Sequence, residues 1–333
     1  MDWSKGFEAT FYACKVDRIT WRDLDRFEIK DGTITSSEDA LVNAADITTD
    51  YEVSADQWIR VYMDTRQEGA ASHMALFTGL SSVPEKEIEW QRNVYKLECY
   101  SVLKPAEDML LPRGYFLPKD MDGGKAIEKL LNATPAPVEL DGSMPYLKNA
   151  IIAEQGETNL SMTTKVLQAI NRRIRIKGDG TIQITKKAAD PSATFDALEN
   201  DCVEPTISVT RDWFSCPNVF RAISDSQVAV IRDNDPDSEF SIQARGREIW
   251  MEETNCNLSS GEGIAAYAMR RLKEEQAKGY EISYSRRFHP DVLVSDMVGL
   301  RYPGQGLNGN YRVIAQRITL GAGCRTEEQV EYS

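Results

Sequence analysis

His73 and His289 are the two histidines in this chain of 333 residues. Serine- and cysteine-dependent hydrolysis needs a histidine base beside the nucleophile, and a zinc hydrolase needs three ligands from histidine and carboxylate side chains. His73 lies at the start of a predicted strand, His289 directly precedes Pro290, and the sequence contains no HExxH segment. The six cysteines include no CxxC pair, so we predict buried, reduced thiols. We therefore expect no catalytic residue, no metal ligand and no bound cofactor.

The 52 acidic residues leave an enzymatic alternative open. A pair of carboxylates is sufficient for glycoside hydrolysis, so a cell-wall or polysaccharide hydrolase is one alternative to a protein without activity. Asp233–Glu239 alternates carboxylates as a calcium loop does, but it lacks the glycine and the distal glutamate of that loop, and we predict a solvated turn. A carbohydrate-binding β module is another alternative, with Trp213, Phe214 and Trp250 as its candidate aromatic residues.

The formal net charge of −13 argues against a surface that binds nucleic acid, because such a surface needs clustered Lys and Arg. The charge is compatible with a passage through which nucleic acid slides, since an acidic wall repels phosphate. The N-terminal segment MDWSKGFEAT lacks the apolar stretch of a signal peptide, and no run approaches the ~20 apolar residues of a membrane span. We expect a protein that is made in the cytoplasm, is not secreted by this route and does not enter a membrane.

Residues 1–115 are predicted to form a first β-rich domain. Alternation of apolar and polar residues predicts short strands at Phe7–Lys15, Arg26–Lys30, Thr33–Ser37, Trp58–Asp64, His73–Gly79 and Arg92–Ser101. Asp31-Gly32 is typical of a hairpin turn, so the second and third of these strands are expected to pair with each other. Strands at this close spacing favour a sandwich or a small barrel.

Residues 116–200 are predicted to form a small α/β domain. Asp122 is expected to cap a helix that runs to Asn132, and Ser161 to cap a second helix. The segment RIRIKGDGTIQI that follows predicts a hairpin that turns at Lys177–Gly180 and places its four isoleucines on one buried side.

Residues 201–333 are predicted to return to β structure, with one helix inserted at 262–278. The strand candidates are Thr206–Thr210, Val219–Ser224, Val228–Arg232 and Phe240–Ala244. Ser259 and Glu262 have the spacing of a capping box at the start of the helix, and Gly279 is expected at its C-terminal cap.

Pro290–Val313 has the clearest pattern in the chain. It predicts a strand, a tight turn at Ser295-Asp296, a second strand over Val298–Tyr302, a glycine-rich bend and a third strand that starts near Tyr311. Beyond Val313 the apolar residues change from odd to even positions. A bulge near Val313 explains this change, and a strand that is buried on both faces is the alternative.

A basic patch consists of Arg270-Arg271 and Arg286-Arg287. Because Glu274 and Glu275 lie close by in the sequence, we predict an exposed face with ordinary ion pairs that contribute little individually. A contact between subunits is the alternative.

The order of these landmarks resembles that of bacteriophage tail hub proteins, which carry the run P-x-L-x-x-G-D-x-V … L-x-G-x-Y-x-V near their end. The matching residues are Pro290, Leu293, Asp296, Val298, Leu307, Gly309, Tyr311 and Val313. Pro217-Asn218-Val219 at the start of a strand, the inserted helix and the segment Leu97–Ser101 are similar as well. Ser295 departs from the family, which usually has glycine before the aspartate; Ser followed by Asp also favours a turn.

The resemblance implies a β-rich α+β fold in which two tube-like antiparallel β-barrel domains, 1–115 and 201–333, flank a small α/β domain, 116–200. It implies a short prophage-type tail hub without a lysin domain and without enzymatic activity. Three copies would form a ring that adapts a hexameric tail tube to a trimeric spike or tip and forms part of the DNA channel. The expected partners are two further copies, the tail tube protein, a spike or tip protein, and distal tail or baseplate proteins. The expected location is the virion tail, assembled in the host bacterial cytoplasm.

Overall fold

The chain forms a mostly antiparallel β structure with five α-helices among the residues described. The structure is a computed structural model that describes residues 1–38, 43–90, 92–186, 190–196, 203–211, 214–224, 227–256, 258 and 262–332. No helix in these ranges is both long enough and apolar enough to cross a membrane.

The strands are β1 (Glu8–Val16), β2 (Asp23–Glu28), β3 (Asp31–Ser37), β4 (Asn43–Thr49), β5 (Trp58–Gln67), β6 (Ala70–Ser81), β7 (Glu85–Glu89), β8 (Arg92–Ser101), β9 (Phe116–Leu117), β10 (Val138–Leu140), β11 (Ile151–Ile152), β12 (Arg173–Ile176), β13 (Ile182–Thr185), β14 (Pro191–Asp196), β15 (Val203–Arg211), β16 (Val219–Ser224), β17 (Gln227–Arg232), β18 (Trp250–Thr254), β19 (Tyr280–Arg286), β20 (Met297–Tyr302), β21 (Leu307–Thr319) and β22 (Thr326–Tyr332). The helices are α1 (Lys104–Asp108), α2 (Gly123–Leu130), α3 (Asn159–Ala169), α4 (Ile242–Arg245) and α5 (Ile264–Ala277).

One sheet of 14 strands runs through both ends of the described chain. Its order is β15-β19-β22-β21-β3-β4-β8-β6-β5-β1-β2, with β20 and β14 extending from β21, and β7 pairing with β8. We refer to β1–β8 as the first β region and to β14, β15 and β19–β22 as the second β region. The two regions meet where β3 pairs with β21.

The two β regions repeat the same order of strands. In the first region the order is β3-β4-β8-β6-β5-β1, and in the second it is β15-β19-β22-β21-β20-β14. The correspondence also holds for the order of the strands along the chain. The places of β1, β3, β4, β5, β6 and β8 are taken, in that order, by β14, β15, β19, β20, β21 and β22. One pairing differs: β1 and β5 are antiparallel, whereas β14 and β20 are parallel. The second region therefore has the strand arrangement of the first, interrupted by an insertion between β15 and β19.

The insertion is a small sheet, β17-β16-β18, covered on one face by α5. Its core contains Phe220 and Ala222 of β16, and Tyr267, Ala268 and Leu272 of α5. The apolar residues of α5 recur every three to four positions, which places them on the face of the helix that covers the sheet.

A compact α/β unit lies between the two regions in sequence. The sheet β10-β13-β12 packs with α2 and α3 around a core that includes Ile127, Leu130, Val166, Ile182 and Ile184. The side chain of Asp122 accepts a hydrogen bond from Lys125 N at 3.0 Å and caps α2, as the sequence predicts. The predicted β12–β13 hairpin is confirmed, with Lys177 N donating to Thr181 O across the turn.

Three local predictions about elements are wrong. Asp31-Gly32 does not join a hairpin, because β2 pairs with β1, and both residues lie inside β3 opposite β4. Phe240–Ala244 is not a strand, since Ser241 caps the short helix α4 there. Ser161 is the third residue of α3, whose cap is Thr158; the two side chains form the capping box together.

Two further predictions near the C-terminus need correction. No strand is assigned at 290–294, where the described chain forms turns, so the predicted first strand of Pro290–Val313 is absent there. Helix α5 starts at Ile264 with Gly263 as its cap, without a side-chain cap bond; Ser259 lies outside the described residues.

The predicted turn at Ser295-Asp296 and the bulge near Val313 are confirmed by the positive φ of Ser295 and by the register shift between Val313 and Ala315.

The predicted boundaries at 115 and 200 remain predictions. β14 lies on the N-terminal side of residue 200 and pairs with β20 of the second β region.

We predict that Gly32→Ala lowers the free energy of unfolding by about 1–3 kcal/mol, the cost of overpacking. A β-carbon at this position would lie 2.6 Å from the main-chain oxygen of Asp46 and 3.2 Å from Leu320. Chemical denaturation measures the change. Gly6→Ala is the matched control, because a β-carbon there meets nothing within 4 Å; equal stability of the two variants would contradict the prediction.

Candidate functional site at the joint between the two β regions

Strand β21 connects the two β regions because it changes partner along its length. Its first half, Leu307–Arg312, pairs with β20 of the second region. Its second half, Ala315–Thr319, pairs with Thr33–Ser37 of β3 in the first region. The register shift lies between these halves, after Val313. We call the pairing of β3 with the second half of β21 the joint.

The centre of the joint is apolar. Ile34 and Ile318 lie directly opposite each other, with 2% and 4% of their surface exposed. Both side chains belong to the core of the first β region, together with Leu320. Leu320 N also donates to Gly32 O at 2.9 Å. The second region therefore contributes residues to the core of the first, which makes the joint a continuous part of the fold.

A polar cluster closes one end of the joint around Glu38. Its carboxylate accepts from Ser295 Oγ at 2.6 Å and from Arg173 Nη1 at 3.3 Å, and lies 3.5 Å from Arg312 Nε. Glu38 N donates to Ile314 O at 2.8 Å. Burial, followed by the charge of Arg312, lowers the pKa of Arg173 to about 10, so Arg173 stays protonated at neutral pH. The cluster joins β3, β12, β21 and the turn before β20.

Asp296 connects the α/β unit to the second β region. Its Oδ2 accepts from Arg175 Nη2 at 2.8 Å and from Leu293 N at 2.9 Å. Burial raises the pKa of Asp296 above the ordinary aspartate value, and Arg175 acts against this rise. Asp296 O also accepts from Val313 N at 2.9 Å. Asp296, which matches the motif, therefore connects the turn before β20, the bulge in β21 and Arg175 of β12.

Ser295 has a left-handed backbone conformation, with φ at +77°. This region favours glycine, which explains why glycine suits the position before the aspartate in the family motif. Here the serine side chain hydrogen-bonds Glu38, and its main-chain oxygen accepts from Arg173 at 3.3 Å. The departure from the motif therefore adds a contact at the joint.

The tip of the β12–β13 hairpin contacts the first β region. Thr78 Oγ1 of β6 donates to Gly178 O at 2.8 Å, and Arg60 Nη2 donates to Asp179 O at 3.1 Å. A β-carbon on Gly178 would lie 1.9 Å from Ala75 O, so only glycine permits this approach. Because the base of the same hairpin contacts the second region through Arg173 and Arg175, the hairpin braces both regions.

A buried ion pair lies next to the joint. Arg286 of β19 and Glu328 of β22 are completely buried, and Arg286 Nε donates to Glu328 Oε2 at 2.8 Å. Tyr284 Oη donates to the same carboxylate at 2.6 Å, and Gln316 Nε2 at 2.9 Å. Gln316 is paired with Ser36 across the joint, so the network reaches the contact between the regions.

The protonation of this network follows from its contacts. Burial alone would raise the pKa of Glu328, but the charge of Arg286 and the hydrogen bonds from Arg286, Tyr284 and Gln316 together outweigh burial, and the pKa is lowered. Burial raises the pKa of Tyr284 well above its ordinary value, with the Glu328 charge adding to the rise. The carboxylate is therefore ionised and the phenol protonated, as their hydrogen bond requires.

Gly309 and Tyr311 lie on the same face of β21, two residues apart. A β-carbon on Gly309 would lie 3.3 Å from the Tyr311 ring, so glycine leaves the space that the ring occupies. Tyr311 is buried and packs edge to face against Tyr332, with ring centroids 5.9 Å apart. In this chain the L-x-G-x-Y-x-V run is a packing pattern for the core of the second region.

Asn218 and Pro217 lie in the insertion, away from the joint. Asn218 is fully buried: its Nδ2 donates to Arg247 O at 2.9 Å, and its Oδ1 accepts from Ile249 N at 2.7 Å. Pro217 O accepts from Gln276 of α5 at 3.3 Å. The matching Pro-Asn pair therefore holds β16, the chain before β18 and α5 together.

Each of the two histidines contacts an acidic and an aromatic residue. His73 Nδ1 lies 2.6 Å from Asp64 Oδ1, and its ring stacks on Tyr62. His289 accepts from Asp291 N at 3.4 Å, and burial lowers its pKa. In the hydrogen bonds recorded for the described chain, neither histidine contacts a serine, threonine or cysteine.

The acidic segment Asp233–Glu239 forms the predicted turn. Asp233 Oδ1 accepts from Asp235 N at 3.1 Å, and Asp235 Oδ1 from Asp237 N at 3.0 Å. Asp233 Oδ2 accepts from Ser238 Oγ at 2.6 Å. Among the residues that the structure describes, no group of three or more His, Cys, Asp or Glu side chains is placed to hold a metal ion.

The arginines of the predicted basic patch lie in two different environments. Arg270 and Arg271 form the predicted ion pairs, with Glu262, Glu253, Glu274 and Glu275, but their side chains are only 20% and 22% exposed, so they lie on a half-buried face and not on an exposed one. The prediction of an exposed face is wrong for Arg286, which is buried with Glu328. The charge of its neighbours in sequence gives no sign of this, because the partner is 42 positions away.

Two of the candidate aromatic residues are exposed beside arginine side chains. Phe214 is 79% exposed and lies under the Arg247 guanidinium, and Trp250 is 47% exposed beside Arg221 and Arg232. Trp213 lies outside the described residues. The five described cysteines are buried, as predicted; Cys202 lies outside these ranges.

Solved structures of phage tail proteins are similar to this chain over almost its whole length. A tail protein from Neisseria meningitidis MC58 has a TM-score of 0.74 at 14% identity, covering 99% of this chain and 97% of that protein. The 43 kDa tail protein of prophage MuSo2 from Shewanella oneidensis has a TM-score of 0.72 at 12% identity, covering 98% of both chains. Prophage tail protein gp18 from Listeria monocytogenes EGD-e has a TM-score of 0.60 at 9% identity, covering 97% of this chain and 94% of that protein.

The chain has the fold of prophage tail proteins. No protein-family model and no curated protein sequence matches it. The tail-protein fold confirms the resemblance predicted from the C-terminal run. Sequence analysis did not find Glu38, Arg175 or Gln316, since a polar residue in or beside a strand looks the same whether it faces water or another part of the fold.

We predict that Glu328→Gln lowers the free energy of unfolding by about 3–5 kcal/mol, because it leaves the Arg286 charge buried without a counter-charge. The lowered pKa means that ionised Glu328 stabilises the fold above the ordinary glutamate pKa, and that this contribution is lost as the pH falls through the lowered value. Denaturant titration at several pH values measures both effects. Glu327→Gln, at an exposed pair with Arg325, is the adjacent control and is expected to change stability by at most about 0.5 kcal/mol. Similar losses in both variants would contradict the role of the buried pair.

We predict that Ser295→Ala is less stable than Ser295→Gly by about 1 kcal/mol. Both changes remove the bond to Glu38, but only alanine keeps a β-carbon at a φ of +77°. Thermal unfolding of the two variants beside the wild type separates the backbone strain from the lost hydrogen bond. A glycine variant less stable than the alanine variant would show that strain at this residue is not important.

Proposed function

We propose that this chain is a structural tail hub protein, three copies of which form a ring. The observation that carries the proposal is the repeated strand order of the two β regions, joined within one chain by β3 and β21. Two similar units per chain allow three chains to present six similar units around an axis. Each unit is proposed to be a tube-like β-barrel within that ring.

A ring with six similar units on one side can match a hexameric tube, while its true threefold symmetry matches a trimeric spike or tip. The proposed partners are therefore the tail tube protein on one side, a spike or tip protein on the other, and distal tail or baseplate proteins around the ring. The similarity to prophage tail proteins over whole chains supports this placement in a virion tail, assembled in the bacterial cytoplasm.

The ring is proposed to surround part of the DNA channel. The net charge of −13 suits a wall that DNA passes without binding, because acidic side chains repel phosphate. The polar residues found at the joint are used in packing and in ion pairs between elements. A tail hub of this kind needs no reaction of its own, and we propose none.

We expect purified protein to have three times the mass of one chain in size-exclusion chromatography with light scattering. Negatively stained particles are expected to show a threefold annulus with a central hole. A monomer that persists across micromolar concentrations would contradict the proposal. Clearing of cell-wall material in a zymogram, abolished by a single Asp or Glu substitution, would instead favour the hydrolase alternative.

A further inference from the structure

Four strands in the large sheet have an edge that no described strand covers, because β2, β7, β14 and β15 each pair with a single described strand. β7 pairs with β8, and β15 pairs with β19; neither has a second partner within the described residues. An uncovered strand edge presents unpaired main-chain N–H and C=O groups, and proteins either protect such edges or use them for assembly.

β7 occupies the position in the first region that the second half of β21 occupies in the second. β6 and β7 pair in turn with β8, just as β21 pairs along β22. In both regions the register shifts by one residue along this pairing. In the first region Ser81 pairs with Cys99 before the shift and Glu85 with Lys96 after it. In the second region Val313 pairs with Val330 before the shift and Arg317 with Glu327 after it. This shared irregularity aligns Glu85 with Arg317.

β15 occupies the position of β3. The order β15-β19-β22 repeats β3-β4-β8, and all of these neighbours are antiparallel. Following the paired residues from strand to strand across the sheet aligns Val209 with Ile34. Within the chain, β3 covers the second half of β21. The strands at the equivalent positions, β15 and β7, both have an uncovered edge.

We propose that β7 of one copy pairs antiparallel with β15 of the next copy, repeating between chains the joint that β21 and β3 form within one chain. This inference rests on the proposed ring and adds the surface that closes it. Each chain then has one internal joint and supplies one external joint. Three chains close a ring with six equivalent contacts.

The aligned registers specify the contacts. Arg317 pairs with Thr35 and Thr319 with Thr33 in the internal joint. The equivalent external pairs are Glu85 with Thr210 and Glu87 with Ser208 of the next copy. Lys86 then faces Val209, as Ile318 faces Ile34.

Side-chain exposure supports the match. Ile88 is 73% exposed, whereas Leu320 at the equivalent place in the internal joint is 4% exposed. Val209 is 41% exposed, whereas its equivalent Ile34 is 2% exposed. Both positions hold apolar side chains in both joints. The external pairing would remove from water two apolar side chains that a single chain leaves accessible.

The composition of β15 is also that of a strand that has a partner. Its central residues, TISVT at 206–210, carry no charge and include four β-branched side chains. β2, at the opposite end of the sheet, has the sequence DLDRFE, with charges at four of six positions. Charged edge strands resist pairing, and β7, EKEIE, is charged as well as β2, so β15 is the edge strand of the three whose composition favours a partner.

A cross-linking experiment tests the proposed register. In a Cys202→Ser background, Glu87→Cys with Ser208→Cys is oxidised with copper phenanthroline and run on a denaturing gel without reductant. Directly opposed residues in antiparallel strands have Cα atoms about 4.5–5.5 Å apart, which suits a disulfide. We expect a band at three chain masses that reductant removes.

Two matched pairs serve as controls. Thr33→Cys with Thr319→Cys sits at the equivalent place in the internal joint and is expected to consume its two thiols within one chain. Glu87→Cys with Thr206→Cys is two residues out of register and is expected to leave a single-chain band, because diagonal neighbours are about 7–8 Å apart. A stronger cross-link from this second pair would overturn the proposed register.

A charge substitution tests the surface independently. Ile88→Asp is expected to shift the particle from three chains to one in light scattering at micromolar concentration, with the circular dichroism of the single chain retained. Leu24→Asp, at an exposed residue of β2, is expected to leave three chains together.

The outcomes separate the inference from the proposed function. A wild-type protein of three chains that gives no Glu87–Ser208 cross-link and tolerates Ile88→Asp would overturn the β7–β15 contact and leave the ring intact. A wild-type protein of one chain that gives no cross-link would overturn both. Cross-linked chains of two or of open-ended size would support the strand contact and overturn the closed ring of three.

Discussion

The antiparallel pairing of β3 with β21 is the constraint on which the rest of this structure depends. Strands joined by main-chain hydrogen bonds lie about 4.8 Å apart with a restricted twist, so the pairing fixes both the spacing and the relative orientation of the two β regions. Ile34 and Ile318 bury the centre of that contact. Because β21 also pairs with β20 and β22, the second region cannot move away without breaking its own sheet.

Polar groups around this pairing restrict its geometry further. Glu38, Asp296 and Gln316 each connect elements that are far apart in sequence, and each satisfies several donors or acceptors in a confined space. Removing a charged partner from such a site is costly, since the remaining charge loses both water and counter-charge. The β12–β13 hairpin adds a brace, because its tip contacts β6 while Arg173 and Arg175 contact the other side of the joint. The α/β unit thereby opposes bending between the two β regions.

A duplicated strand order inside one chain connects this local geometry to assembly. The internal joint shows one way in which two such units fit edge to edge, and the same units expose edges of the same kind on the outside. The insertion β16–β18 with α5 has its own core and does not interrupt the strands that meet at the joint. The fold is thus a pair of similar units joined edge to edge within one chain.

The sequence by itself determined features that depend on neighbouring residues. Period-two alternation predicted β8 and β16 with their observed ends, Asp122 predicted the start of α2, and the change of phase after Val313 predicted the bulge. Predictions from local sequence failed where contacts with distant residues are stronger. Asp31-Gly32 has the propensity of a turn, but both residues pair with β4 and so belong to strand β3. Only the tertiary structure decided that Ile318 meets Ile34 and that Glu328 meets Arg286. Main-chain hydrogen bonding is the same for every sequence, so the residues of a strand do not indicate which strand it pairs with. The partner is selected by the burial of side chains from both strands in a common core.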